Sequence, residues 1–215
     1  MEGSSVFIHY GPYESIPENA SPGLQFLSHF MPAIDEISPQ ETEHPIKKFF
    51  KPDTPIIIDN NPANPASSAL PLLKVRSRHL AYFRHEVHIA WDMDLGNAAT
   101  HAATIDANRS DPRSQINTSE SGPPGSSSIS SQSKSPMKRT VMFEATSETI
   151  FKDDPDGFPI KIREFNILDL EGSDNDNLQV TEMRIFLDAR PVQARAASLQ
   201  MESAFGEAQR ETQVE

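Results

Sequence analysis

The densest run of side chains able to do chemistry is His85-Glu86-Val87-His88. Zinc proteases use H-E-x-x-H, which sets two histidines one helical turn apart with the glutamate as base. Here the second histidine comes one residue early and the run reads as strand, so the two imidazoles point to opposite faces. That spacing speaks against zinc. Further along, Glu182, Arg184, Phe186 and Asp188 share one parity. If that face lines a cavity, Asp188 becomes a carboxylate among apolar walls, with a raised pKa and the capacity to act as a general acid. If it faces outward, Arg184 pairs with an acid across the sheet. Parity alone does not distinguish the two faces. Ser135-Pro136 fits a proline-directed kinase preference, and a phosphate there would sit beside Lys138 and Arg139. No Gly-rich phosphate loop, G-x-S-x-G elbow or EF-hand spacing occurs, which removes nucleotide, serine-hydrolase and calcium readings.

Composition narrows the classes further. The 215 residues carry a net charge of −12, the opposite of what a nucleic-acid backbone or an anionic membrane selects. The absence of cysteine excludes disulfides, thiolate zinc sites and a cysteine nucleophile. Hydrophobic residues make up 36% and there are 18 prolines, so one core is feasible while part of the chain lies outside it. No long apolar run occurs, and Met1 to Tyr10 lacks the basic and apolar regions of a signal peptide. The expectation is a cytoplasmic protein with neither a membrane nor a nucleic-acid partner.

The elements that must position these groups read as helices first and strands after. Prolines 12, 17 and 22 leave residues 1–23 irregular, and Pro22 to Met31 is a short helix stopped near Pro32. Pro39 to Glu43 can open a second helix leading to Phe49-Phe50. Pro55 to Asp59 is a β-branched strand ended by Asn60-Asn61-Pro62. Ser67-Ser68 can cap a helix from Ala69 to Phe83, with Leu73, Leu80 and Phe83 on its apolar face. Val87, Ile89, Trp91, Met93 and Leu95 alternate with polar residues, a half-buried strand whose apolar stripe is core or a partner surface. Ala98 to Asn108, Thr140 to Phe151, Ile160 to Leu170 and Gln179 to Asp188 follow as strands. Arg190 to Met201 closes the domain as a helix. The Ser-rich stretch 111–137 is too poor in apolar residues to order itself, and the acidic tail 201–215 frays. Helices segregated before a meander give an α+β fold.

Three stretches resemble the nuclear-transport-factor-two-like superfamily, in particular its SnoaL-like branch. Phe49-Phe50-Lys51-Pro52-Asp53-Thr54-Pro55 resembles the family's exit from the second helix into the first strand. Arg84-His85-Glu86-Val87 resembles the start of its next strand, and Val180 to Asp188 followed by Pro191 resembles its last. The likeness covers most of residues 24–200. It implies a cone-shaped α+β barrel wrapped around N-terminal helices, with an apolar cavity inside and a homodimer through the convex face. Its members include scytalone dehydratase and polyketide cyclases as well as non-catalytic binding modules, so fold alone does not name a function.

The resemblance also implies roles for residues. In scytalone-dehydratase-like members a histidine at this strand position is acid and base beside an Asp and a Tyr of the first helix, which places that role on His85. Asp35 or Asp188 would orient it, and no cofactor would be needed. Phe26, Phe30, Leu73, Trp91 and Phe186 are the pocket candidates, although Trp91 and Phe186 equally suit core or dimer contacts. A plain strand-end histidine bonded to backbone is the competing reading of His85. Because the acid–base set is incomplete, a cavity module binding a small apolar ligand or a protein partner is expected. A cofactor-independent dehydratase, cyclase or isomerase is the alternative.

Overall fold

The computed structural model describes residues 5–37, 45–61, 64–65, 76–95, 136–174 and 177–212. Leu73, Ser135, the strand expected at Ala98 to Asn108 and nearly all of the Ser-rich stretch lie outside them. Within them the chain is α+β. Seven strands form one sheet: β1 (Val6–Tyr10), β2 (Pro55–Ile58), β3 (Asn64–Pro65), β4 (Leu80–Asp94), β5 (Met137–Phe151), β6 (Ile160–Gly172) and β7 (Gln179–Leu187). Their order is β1-β4-β5-β6-β7-β2-β3. Every neighbouring pair is antiparallel except β2 and β7. Among the described residues the sheet is open, with β1 and β3 at its edges. No described helix is long and apolar enough to cross a membrane.

The three long central strands follow from alternation. In β5, Val141, Phe143 and Ala145 are buried, and in β6 so are Ile160, Ile162, Leu168 and Leu170, while the residues that alternate with them are more exposed. Helix α1 (Pro22–Asp35) lies on that buried face and contributes Leu24, Phe26, Leu27, Phe30 and Met31 to the core. Phe26, Phe30, Phe49 and Phe50 pack ring against ring, with centroids 5.4 to 5.8 Å apart. Burying one such ring stabilises by about 1.5–3 kcal/mol. The 3-10 turn Pro45–Phe49 carries the last two rings toward β2, whose parallel register on β7 runs from Ile56↔Met183 to Ile58↔Ile185.

Four expectations are corrected. The N-terminal segment is not irregular: the prolines forbid a long helix but not β1, which pairs along β4 from Val6↔Met93 to Tyr10↔Ile89. Helix α1 does not stop at Pro32. It runs on to Asp35, because buried Met31 and Ala33 outweigh the hydrogen bond that the proline removes. The helix expected to end at Phe83 ends before Leu80, where β4 begins pairing with Phe151 of β5. Finally, the stripe from Val87 to Leu95 does not share one face. A bulge between Val87 and Ile89 shifts the register, so Val87, Ala90 and Asp92 are buried while Ile89, Trp91 and Met93 fall on the other side.

Asp92 is fully buried on that shifted face, where Arg139 grips it through Nε and Nη2 at 2.8 and 2.9 Å. Its Oδ2 also accepts the Gly23 N–H at 2.9 Å, so it supplies the anion at the start of α1. Glycine is required there, since a Cβ would stand 2.4 Å from Asp92 Oδ1. At the far end of the sheet, α2 (Arg190–Thr212) extends well past the expected Met201. It is tied to the β5–β6 turn by Arg195, whose Nε donates to Asp154 at 3.0 Å.

Candidate functional site

Asp35 is the last residue of α1 and His85 the sixth of β4, and the packing of helix on sheet brings them together. His85 Nδ1 lies 2.5 Å from Asp35 Oδ1, and the His85 backbone N–H donates to Asp35 Oδ2 at 3.1 Å. That N–H is available because β1 stops pairing with β4 at Ile89. The Tyr13 hydroxyl donates to Asp35 Oδ2 from the 3-10 turn Tyr13–Ser15, at 3.4 Å. On the other side of the ring, His85 Nε2 is 3.0 Å from Glu164 Oε1 on β6. The same oxygen accepts from Asn166 Nδ2 at 3.0 Å. Tyr13, Asp35, His85, Glu164 and Asn166 therefore form one continuous polar chain.

Electrostatics sets the charges along it. Burial pulls the His85 pKa down, but hydrogen bonds to Asp35 and Glu164 push it up further, to about 9. Burial raises Glu164, and the His85 and Asn166 bonds outweigh it, so its carboxyl titrates below the usual range. At neutral pH an imidazolium thus joins two carboxylates. Burial, with Asp35 and Glu14 nearby, raises Tyr13 to about 12 and keeps it a neutral donor.

The chain ends at a cavity of about 430 Å³ between α1 and the sheet. Phe30, Ile56, Phe143, Met183 and Ile185 wall it, and Arg76, His85, Glu164 and Asn166 are its polar lining. An adjoining hollow of about 660 Å³ opens under α2 and shares Arg76, Phe83, Glu164 and Leu187 with it. Arg76 Nη1 donates to the Ile34 carbonyl at 3.3 Å, and its guanidinium carbon sits 3.6 Å from the Phe83 ring centroid. Among the described residues its buried Nη2 has no hydrogen-bond partner. Burial lowers its pKa to about 10, and Asp35 and Glu164 oppose the fall, so it remains a cation at neutral pH.

Of the residues singled out from sequence, His85 and Asp35 meet, and Phe30 lines the cavity beside them. Phe26 packs in the core and lines a separate hollow with His29 and Lys48. Trp91 and Phe186 lie on the opposite sheet face, each about one ring contact from Phe165, at 6.5 and 6.4 Å between centroids. Asp188 is half exposed beyond the end of β7, paired with Arg190 at 2.6 Å. Its carboxyl is pulled down to about 2 by that arginine, the reverse of the shift an interior acid would show. His88 turns away from His85 to Thr146 Oγ1, 2.7 Å away.

Sequence reasoning missed Tyr13, Arg76, Glu164 and Asn166. Two of them had left a signal: in the buried phase of β6, Glu164 and Asn166 interrupt a series of isoleucines and leucines. A carboxylate and an amide in a core phase need buried partners, and function is a common reason for them. No protein-family model matches this sequence, and no curated protein matches it.

Proposed function

We propose that this chain is a SnoaL-like cavity protein that binds a small, largely apolar molecule between α1 and the sheet. The observation that carries this is the composition of the cavity wall: side chains of α1, β2, β5 and β7 supply apolar surface, and the polar groups gather at one end. A concave apolar site with a few convergent polar groups is what small-molecule recognition uses. The order of helix, strand and meander supports the family assignment. Native mass spectrometry tests the function. The expected result is a small mass kept under gentle conditions, shed on denaturation and missing from Ile185→Trp, whose indole fills the cavity. A wild-type protein that carries nothing and takes up no apolar probe would overturn it.

A second reading is a cofactor-independent lyase or isomerase, and the polar chain favours it. Both ring nitrogens of His85 are engaged by carboxylates, so the group presented to a ligand is Glu164, whose Oε2 receives no hydrogen bond among the described residues. In this reading Glu164 exchanges the proton with substrate, and His85 holds that carboxylate in place. The resemblance also carries a homodimer through the outer sheet face, where Trp91, Phe165 and Phe186 stand. Light scattering on wild type and Trp91→Glu tests it: a dimer that dissociates in the variant supports the interface, and a wild-type monomer removes it.

A further inference from the structure

Glu164 is 8% exposed, and its two carboxylate oxygens are treated unequally. Oε1 is held from two sides, by His85 Nε2 and by Asn166 Nδ2, each at 3.0 Å. Oε2 accepts nothing from the described residues. Among those residues, the buried side-chain atoms with no hydrogen-bond partner are Ser21 Oγ, Arg76 Nη2 and Glu182 Oε1. Glu164 Oε2 is not one of them, so the small exposed part of this side chain includes that oxygen. Glu164 stands in the buried phase of β6, and it lines both the cavity and the hollow under α2. A carboxylate oxygen open to an apolar cavity is an acceptor that only a donor can satisfy.

The kind of donor follows from the neighbours. Asp35 and Glu164 face the polar end as carboxylates, balanced by the His85 and Arg76 cations. An ammonium would add an uncompensated charge in a site of low dielectric. An anion or a carbonyl oxygen would set acceptor against acceptor. An amide N–H would bring its carbonyl to groups whose donors are spent, both His85 nitrogens on carboxylates and Arg76 Nη1 on the Ile34 carbonyl. A hydroxyl supplies the donor and leaves the charge balance intact. We propose that Glu164 is the specificity-determining residue of the cavity, and that its occupant is an uncharged apolar molecule whose hydroxyl group donates to Oε2. This rests on the cavity reading above and names the class of ligand.

The experiment uses four probes with one carbon skeleton: indane, 2-indanol, 2-indanone and 2-aminoindane. Each is titrated calorimetrically at neutral pH into the full-length wild type and into Glu164→Gln. In wild type the alcohol is expected to bind about tenfold to a hundredfold tighter than the hydrocarbon, the worth of a hydrogen bond to a charged acceptor. In Glu164→Gln the side-chain oxygen keeps the Asn166 bond, and the amide NH2 takes the place of Oε2. There the preference reverses and the ketone binds tighter than the alcohol, which a loss of stability alone does not produce. Indane binding as before shows that the variant is folded. Equal binding of alcohol and hydrocarbon in wild type overturns the proposal and leaves the cavity reading standing. So does tightest binding of the ketone or the amine in wild type, or an alcohol preference that survives in Glu164→Gln. Failure of all four probes to bind takes down both readings. Should Glu164→Gln not fold, Glu164→Asp keeps the charge, draws the carboxylate back by one methylene and must still reduce the alcohol preference.

Discussion

Glu164 Oε1 stands 3.0 Å from His85 Nε2 while Asp35 Oδ1 stands 2.5 Å from His85 Nδ1, so one buried imidazole is clamped between two carboxylates. The clamp joins three elements: the end of α1, the early part of β4 and the middle of β6. Proton affinity at this site and the docking of the helix are therefore one property.

A pH dependence follows with a definite sign. His85 is raised from 6.5 in the unfolded chain to about 9 when folded. Its contribution to stability is fully present below pH 6.5 and is lost as pH rises through about 9. Thermal unfolding of wild type should weaken over that interval more than that of His85→Gln. The ring should also show imidazolium nitrogen shifts by NMR at pH 7.5; a neutral tautomer at that pH sinks the argument.

Glu164→Gln leaves His85 with Asp35 alone. At pH 6 the variant should lose about 3 kcal/mol, the low end for breaking a buried pair. At pH 9 the loss should be smaller, because there the wild-type glutamate itself begins to lose its cationic partner. Urea unfolding at the two pH values measures this, and equal losses would contradict the clamp. On the acid side, Glu164 titrates below its ordinary range, so its contribution is present above that range and fades as pH falls through the folded value.

The Asp92–Arg139 pair should behave as a structural unit. Asp92→Ala leaves a guanidinium that is 3% exposed with Asp94, 3.1 Å away, as its remaining carboxylate, and should cost about 3 kcal/mol, the low end for a broken buried pair. Replacing both, as Asp92→Leu with Arg139→Met, should cost less than Asp92→Ala alone. A double-mutant cycle by chemical denaturation reads the coupling, and additive losses would show that the pair is not a unit.

Arg195→Ala should loosen α2 without unfolding the sheet, since the Asp154 tie is that helix's link to the β5–β6 turn. Hydrogen exchange should quicken across residues 190–204 and stay unchanged in β5 and β6. Uniform exchange in both proteins would show that the tie does not hold the helix.

How much of this could be read from the chain differs by element. Strands β5, β6 and β7 were legible, because alternation and the Asp/Gly turns between them are local signals. Asp35 and His85 were candidates through a family resemblance, yet their meeting depends on α1 passing through Pro32, which local propensity argues against. The burial of Asp92 was invisible for a similar reason: its partners Arg139 and Gly23 are far off in sequence, and the bulge that turns it inward carries no composition of its own.

That bulge has a consequence for how the strand can change. Before His88, β4 serves the proton-holding site; after it, the same strand serves the root of α1. The two stretches read the pleat in different frames. Were the bulge to flatten with the length unchanged, a single frame would swing Asp92 toward solvent and Trp91 into the core, and so uproot the helix that delivers Asp35. Substitutions, by contrast, can retune either stretch without disturbing the phase of the other. The strand is more tolerant of altered spelling than of a lost bulge at constant length.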